Sequence, residues 1–220
     1  MKTKLVPRPT PSVFYFPGLN SKPVYNPSEF KFSDILLENK EAILKEYQQM
    51  VSNKLPQSDY LLKPDEHSLH EGEWLWSSFI QKGKKQERFA QIFPETTRTL
   101  ESIPRLMDAT PFGSAFFSTL TPHSKIKPHN GPCNLRLRCH FPLIVPEGNK
   151  CGIRIGDQVV HWEEGVPLIF DDCYEHEVWN DSEEPRVVLL FDTWHPDLHD
   201  DEMIAIRAMF DDAKSKGWLS

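Results

Sequence analysis

The stretch that decides the fold is Asn134-Leu-Arg-Leu-Arg-Cys-His-Phe141, in which polar and apolar residues alternate without interruption. A period of two puts successive side chains on opposite faces of a β-strand. One face carries Leu135, Leu137, Cys139 and Phe141, and the other carries Asn134, Arg136, Arg138 and His140. Taken alone, the pattern also suits an amphipathic strand with a solvated face. If the polar face lines the inside of a barrel, its cations require an anionic occupant or acidic partners, because unpaired buried charge is costly.

The same period extends outward from this strand, from Ser114 to Trp194, and turn-forming residues divide it into short segments. The predicted strands are 114–121, 134–141, 152–155, 158–162, 167–172, 175–180 and 186–194. The Gly156-Asp157 pair predicts a two-residue hairpin turn. Short strands joined by turns favour an antiparallel sandwich or small barrel. We therefore expect a mainly β fold with flanking helices, built as a double-stranded β-helix.

Helical spacing appears on both sides of the strand region. It predicts helices over about 33–52, after Phe93-Pro-Glu95, and over about 200–216. The first 30 residues carry six prolines, which exclude a helix there, and their interleaved apolar residues indicate an extended arm packed on the body. The prediction is one domain over 1–220, with an arm (1–32), helical support (33–110), a β core (111–196) and a C-terminal helix (197–220).

Composition narrows the class of protein. The 220 residues are 39% hydrophobic and 11% aromatic, which suffices for a substantial core. A net charge of -7 argues against nucleic-acid partners, which need a basic footprint. No apolar run reaches the roughly 18 residues of a membrane span, and prolines interrupt the apolar N-terminal stretch, so no secretory signal is expected. We expect a soluble cytoplasmic protein whose four cysteines are reduced thiols.

Two histidines stand beside turn residues at predicted strand edges. His129 lies in Lys127-Pro-His-Asn-Gly-Pro132, and His176 follows Asp171-Asp-Cys-Tyr-Glu175. Imidazoles from two separate strands suit Fe(II) with open coordination positions. Arg186 follows His176 by ten residues, so a hairpin would bring it close, and its guanidinium can bind a carboxylate through two parallel hydrogen bonds. Ser118 on an earlier strand offers a further hydroxyl donor.

Several motifs in order then carry a resemblance. They are Lys127-Pro-His-Asn-Gly-Pro132, Leu135-Arg-Leu-Arg-Cys-His140, Trp162-Glu-Glu-Gly165, Leu168-Ile-Phe-Asp-Asp172, Glu175-His-Glu-Val-Trp-Asn-Asp181 and Asp192-Thr-Trp-His-Pro196. Together they resemble the aspartyl/asparaginyl β-hydroxylase family of Fe(II)- and 2-oxoglutarate-dependent oxygenases. The match covers roughly the last half of the chain strongly, and Phe16-Pro-Gly-Leu19 and Phe93-Pro-Glu-Thr96 extend it weakly.

The resemblance implies a role for each matching position. His129 and His176 match the two iron ligands, and Arg186 with Ser118 matches the site that binds the distal carboxylate of 2-oxoglutarate. Arg138 and His140 match groups near the keto-acid end. The carboxylate that most of the wider superfamily adds two residues after the first histidine is replaced by Gly131, as in this family. The implied reaction uses O2 to hydroxylate an unactivated C–H bond, with release of succinate and CO2.

The substrate end departs from the family pattern. A lysine that holds the substrate carboxylate in the peptide hydroxylase is replaced by Phe116, and the loop over 65–72 contains no arginine or lysine. Arg136 remains as a candidate carboxylate partner, and His123, on the loop that enters the site, is a candidate substrate contact. The expected substrate is a small molecule, an acyl group, or a peptide, including peptidyl Asp or Asn. Oligomeric state is not predicted.

Two other classes of function compete with this interpretation. A catalytically silent double-stranded β-helix binding protein would retain the pocket, but would not need both histidines and Arg186. A zinc hydrolase could use the C-x2-H spacing of Cys173 and His176, yet the sequence contains neither a second such pair nor an H-E-x-x-H helix. Asp171 and Asp172, which could supply a metal carboxylate, are interpreted as caps of a turn.

Overall fold

Two antiparallel sheets dominate the computed structural model, which describes residues 6–60 and 69–218. The larger sheet contains seven strands: β1 (Val24–Tyr25), β3 (Trp74–Gln81), β4 (Lys84–Lys85), β5 (Ala115–Leu120), β7 (Arg136–Ile144), β10 (Leu168–Phe170) and β12 (Arg186–Trp194). The smaller sheet contains β2 (His70–Glu71), β6 (Ser124–His129), β8 (Cys151–Ile155), β9 (Gln158–Val160) and β11 (His176–Asn180).

The order of the strands identifies the architecture. The larger sheet runs β1-β10-β7-β12-β5-β3-β4, and the smaller one runs β2-β6-β11-β8-β9. From β5 to β12 the chain passes back and forth between the sheets, with only the β8-β9 hairpin interrupting the alternation. A chain that winds alternately through two facing antiparallel sheets forms a double-stranded β-helix. The predicted mainly β fold is therefore confirmed.

Helices cover the outer face of the larger sheet. They are α1 (Phe32–Ser52), α2 (Glu87–Ile92) and α3 (Pro94–Ser102), preceded by a 3-10 turn (Pro27–Glu29). Outward-facing Phe117 on β5 packs against Tyr47 of α1 and Phe93 at the start of α3. Phe116, the next residue, faces the second apolar cluster, which draws side chains from both sheets. The strand alternation thus separates an outer core under the helices from an inner core between the sheets.

The C-terminal helix, α4 (Asp200–Ser215), closes a third cluster with Trp194 and the N-terminal arm. Phe14 of the arm packs edge-on against Phe210. The arm is packed as predicted, although Val13 and Tyr15 are 69% and 60% exposed because the alternation turns them outward. All four cysteines are buried and unpaired. Among the described residues, no helix is long and apolar enough to cross a membrane.

The seven predicted strands match β5 and β7 to β12 within a few residues, whereas β1 to β4 and β6 have no counterpart among them. His129, predicted beside turn residues at a strand edge, is the last residue of β6, a six-residue strand of the smaller sheet. Exposed Lys125 and Lys127, together with Pro128, obscured it. The predicted hairpin that brings Arg186 to His176 is also wrong, because β11 and β12 belong to opposite sheets.

Candidate active site

The structure brings His129 and His176 together on the smaller sheet. The two residues are register partners across β6 and β11, and their ring centroids lie 4.1 Å apart. Nδ1 of His129 lies 2.7 Å from the Lys127 carbonyl, and Nδ1 of His176 lies 3.0 Å from the Tyr174 carbonyl. A carbonyl only accepts hydrogen bonds, so each Nδ1 carries the proton and each Nε2 keeps a free lone pair.

Both imidazoles are held in the neutral form. Burial lowers the pKa of His129, and it lowers the pKa of His176 to about 3, with a further contribution from the neighbouring His129. A metal ion binds only the neutral ring. Two neutral rings with fixed tautomers therefore meet the requirement for a pair of metal ligands, and their role as iron ligands stays a prediction.

Gly131 lies where the missing carboxylate would project, and the structure shows why no side chain fits. A Cβ at this position would come within 2.3 Å of Oδ1 of Asp172, whose side chain is fully buried. The Gly131 amide also donates to the Asp172 carbonyl at 2.6 Å. The loop after His129 and the turn before His176 are thus in direct contact, and the carboxylate near the histidines belongs to Asp172.

Arg136, Arg138, Asp172 and Asp192 form a buried cluster of four charges. Arg136 forms ion pairs with Asp172 at 2.5 Å and with Asp192 at 2.9 Å. Arg138 makes a bidentate contact with Asp192, with hydrogen bonds of 2.9 and 3.1 Å. Burial alone would raise the pKa of Asp172, but the two guanidinium groups outweigh it and hold that pKa below its usual range. The cations of the inner face therefore have acidic partners, one of the two outcomes that their pattern allowed.

This cluster limits what Arg136 offers to a substrate. Its side chain is only 4% exposed, and its terminal nitrogens bind both aspartates and the Phe112 carbonyl. A substrate contact of Arg136 stays a prediction that would require one of these partners to release it. Arg138 is 14% exposed and has the more accessible guanidinium.

Arg186 stands in contrast to this pair. It is 1% exposed, and no carboxylate within residues 6–60 and 69–218 forms an ion pair with it. Its Nη1 lies 3.3 Å from Oγ of Ser118, its guanidinium stacks over Trp162 at 5.0 Å, and its Nε has no hydrogen-bond partner. Burial lowers the pKa of Arg186 to about 10. Nη1 also lies 3.4 Å from the Ser118 carbonyl, so the partners of this buried cation are a hydroxyl, a carbonyl and an indole, and none of them is an anion. An anionic ligand would therefore neutralise a charge that is otherwise costly to bury.

Strand register fixes where this cation points. Ser118 pairs with Val188, two residues along β12 from Arg186, so the guanidinium extends along the interior toward Leu190. Leu190 pairs in turn with His140 on β7. His140 is buried, its Nδ1 has no hydrogen-bond partner, and burial together with Arg186 and Arg138 keeps its pKa well below the usual value. Among the described residues, the interior therefore contains two buried nitrogen atoms without a hydrogen-bond partner, Nε of Arg186 and Nδ1 of His140.

The remaining predicted contacts lie at different depths. Phe116 is buried on the inner face and stacks on Trp76 at 4.3 Å, which stacks on Tyr60 at 4.4 Å. His123 has an exposed side chain that contacts Glu183. It precedes β6 and lies six residues before His129, or about 20 Å along an extended chain. The structure does not bring His123 to the histidine pair. Residues 65–68 of the predicted loop lie outside the described residues.

Sequence reasoning missed a neighbour of Arg186 and a neighbour of Ser118, and it interpreted Asp172 as a turn cap. Trp162 lies inside against Arg186, and Trp74 donates its indole N–H to Ser118 at 2.9 Å. Asp171 is the turn cap, since it accepts from the Cys173 amide and the Ser21 hydroxyl. Cys173 is buried with a raised thiol pKa, which disfavours the thiolate that zinc requires.

The chain is similar in sequence to several known proteins. The family model described as aspartyl/asparaginyl beta-hydroxylase matches residues 37–196. Human aspartyl/asparaginyl beta-hydroxylase is 32% identical over 189 residues, covering 85% of this chain and 24% of that protein. Mouse aspartate beta-hydroxylase domain-containing protein 2 is 34% identical over 208 residues, covering 91% and 59%. The ornithine lipid ester-linked acyl 2-hydroxylase of Rhizobium tropici is 34% identical over 181 residues, covering 81% and 62%.

Fold and relatives together define a hydroxylase-type double-stranded β-helix protein. Within that class, the chain belongs to the aspartyl/asparaginyl β-hydroxylase family. It spans about a quarter of the human relative and about three fifths of the mouse and Rhizobium ones.

Proposed function

We propose that this protein is an Fe(II)- and 2-oxoglutarate-dependent dioxygenase that hydroxylates an unactivated C–H bond and releases succinate and CO2. The observation that carries the proposal is Arg186, a fully buried guanidinium without a carboxylate partner among the described residues. A cation left this way costs several kcal/mol unless a ligand neutralises it. A dicarboxylate such as 2-oxoglutarate supplies that neutralisation with one end and leaves the other for a metal.

The donor set near the other end fits iron. Two neutral imidazoles with free Nε2 atoms suit Fe(II) and leave open positions for oxygen ligands. His129 and His176 would hold the metal, Arg186 and Ser118 the distal carboxylate, and Arg138 and His140 the keto-acid end. When bound, Fe(II) with 2-oxoglutarate and O2 supplies the oxidising chemistry.

The residues of the chain orient these groups and exclude water. The backbone carbonyls of Lys127 and Tyr174 fix both imidazole rings, so the Nε2 atoms need no rearrangement on binding. Trp162 and Trp74 hold Arg186 and Ser118 in place through a cation-π contact and an indole hydrogen bond. The apolar inner core around them keeps bulk water away from the reacting C–H bond.

The substrate we propose is a small molecule or acyl group, with peptidyl Asp or Asn as the alternative. The stack of Phe116, Trp76 and Tyr60 stands where the family's peptide hydroxylase has a lysine, which favours an apolar over an anionic group. One relative is named as an acyl 2-hydroxylase, which supports the same choice.

We further propose a single domain over 1–220 and a cytoplasmic location. A reducing compartment suits the four unpaired cysteines.

The test is succinate formation from anaerobically loaded protein after addition of oxygen, with and without a metabolite extract. We expect iron-dependent succinate in the wild type, a gain of one oxygen in an extract component, and neither in His176→Ala. Equal succinate in His176→Ala would refute the metal role, and 2-oxoglutarate binding without any turnover would favour the silent binding protein. Cys173→Ser should retain full activity, whereas loss of activity in this variant would favour the zinc hydrolase.

A matched pair of substrates distinguishes the two substrate classes. A medium-chain acyl compound and an Asp-containing peptide are each added to the loaded wild type and to Phe116→Lys. We expect the acyl compound to stimulate succinate formation in the wild type and the peptide to gain effect in the variant. Stimulation of the wild type by the peptide alone would overturn the choice of an acyl or small-molecule substrate.

A further inference from the structure

The N-terminal arm lies across the two loops that carry the histidines, and its contacts with them are made mainly by the backbone. On one side, the amide of Ser12 donates to the Gly131 carbonyl at 3.0 Å, and the amides of Val13 and Phe14 donate to the Pro132 carbonyl at 3.0 and 2.9 Å. On the other side, the amide of Thr10 donates to the Cys173 carbonyl at 2.8 Å. One segment of five residues thus binds both loops.

Further contacts hold the part of the arm that follows this segment. Asn134 exchanges two hydrogen bonds with the backbone of Phe16, each 2.7 Å long. The Ser21 hydroxyl donates to Asp171 at 2.5 Å, and the Asp171 amide donates to the Pro23 carbonyl. The arm lies outside the residues that the family model matches, 37–196.

The two loops also depend on each other. Asn130 donates to the Cys173 carbonyl at 2.8 Å, the same acceptor that Thr10 uses, and Gly131 donates to the Asp172 carbonyl. Because Gly131 supplies no side chain, the ligand set that we propose from the described residues consists of His129 and His176. The relative position of the two loops therefore matters more than in a site with three protein ligands.

We infer that the arm positions the metal site. Its hydrogen bonds to the loop after His129 and to the turn before His176 keep the two Nε2 atoms close enough to bind one metal ion. This inference rests on the proposed function and assigns the positioning role to backbone N–H groups of Thr10 and Ser12. Loss of either N–H group should let the two loops adopt a wider range of relative positions. Metal affinity should then fall although both metal-ligand histidines are unchanged.

Proline substitution removes one backbone N–H in a segment that is already proline-rich, and at Ser12 it also removes the hydroxyl that donates to the Gly131 carbonyl at 3.3 Å. Thr10→Pro and Ser12→Pro should each bind Mn(II) about two- to tenfold more weakly than the wild type, the loss expected from one hydrogen bond. Arg8→Pro is the matched control, since no bond of its amide is found among the described contacts. Thr10→Ser keeps the N–H and should bind as the wild type does.

Mn(II) affinity is measured anaerobically from the free-ion signal in electron paramagnetic resonance, beside the thermal midpoint of each metal-free variant. The inference holds if affinity falls in Thr10→Pro and Ser12→Pro while their midpoints match that of Arg8→Pro. It is overturned if their affinity equals that of Arg8→Pro, or if affinity merely follows the midpoint. Should a proline variant fail to fold, Ser21→Ala provides the same comparison through the Asp171 contact. Equal Mn(II) binding by wild type and His176→Ala would instead refute the proposed function.

Discussion

Replacement of Arg186 by methionine should make the ligand-free protein more stable and abolish most of its response to 2-oxoglutarate. Burial lowers the pKa of Arg186 from 12.5 to about 10. That difference corresponds to about 3 kcal/mol for holding the charged form inside the fold. The cation-π contact with Trp162 offsets about 2 kcal/mol of it, and the two long hydrogen bonds to Ser118 offset part of the rest, so Arg186→Met should gain up to about 1 kcal/mol. In a protein of this size, that gain raises the thermal midpoint by up to about 2–4 °C.

Bound 2-oxoglutarate should make the wild type more stable than Arg186→Met, which reverses their order of thermal stability without ligand. At a hundredfold excess over its dissociation constant, 2-oxoglutarate stabilises the wild type by about 2.7 kcal/mol. Loss of one partner of a buried charge pair costs about 2–5 kcal/mol, so the affinity of Arg186→Met falls at least about 30-fold. The stabilisation of the variant at the same concentration then shrinks to about a third or less.

The assay is thermal unfolding with Mn(II) under anaerobic conditions while 2-oxoglutarate is titrated, so that no turnover occurs. The melting curves of wild type and Arg186→Met should cross as the ligand is added. Arg88→Met, on the exposed side of α2, controls for the loss of an arginine and should respond to the ligand as the wild type does. A variant that is less stable without ligand and equally stabilised by it would refute the reasoning.

Three further predictions concern the inner face. His140 is neutral in the fold because its pKa lies well below 6.5, so it should lower stability by up to about 1.4 kcal/mol per pH unit as pH drops below about 6.5. In urea unfolding, His140→Gln should remove this share of the slope, while the shares of His129 and His176 remain. Gly131→Ala places a methyl 2.3 Å from Asp172 and should cost about 1–3 kcal/mol and weaken Mn(II) binding, while Gly148→Ala, in open space, should leave binding intact. Asp192→Asn leaves two arginines with one carboxylate and should cost about 3–5 kcal/mol in the same unfolding measurement, and a smaller loss would contradict the cluster.

The alternation of residues predicted most of the strands because both faces of these strands are distinct in polarity. It missed β6, although Ser124 and Ile126 are buried and alternate with exposed Lys125 and Lys127, because Pro128 interrupts the pattern. The prolines of the arm predicted its extended form, but not which carbonyls it binds. Those partners depend on the tertiary position of the 131–134 and 171–173 loops.

In the candidate site too, the sequence predicts the chemical character of a surface but not the residues that contact it. The cationic face of β7 follows from Arg136 and Arg138 alone, and so does its need for an anionic occupant or acidic partners if that face lines the interior. The identity of the partners does not, since Asp192 meets Arg138 only through the register of β7 with β12. The hairpin expected between His176 and Arg186 failed for the same reason: chain separation does not reveal that consecutive strands enter opposite sheets.

The buried cluster of Arg136, Arg138, Asp172 and Asp192 also constrains how this sequence can change over time. Each member contacts at least two others, so any single replacement leaves an uncompensated charge in the interior. Removal of a cation and an anion together leaves no such charge, and the effects of the two changes should be far from additive. Random mutagenesis of one position at a time should therefore yield no stably folded variant at these four positions. Libraries that vary positions 136 and 192 together should yield folded variants with apolar residues at both.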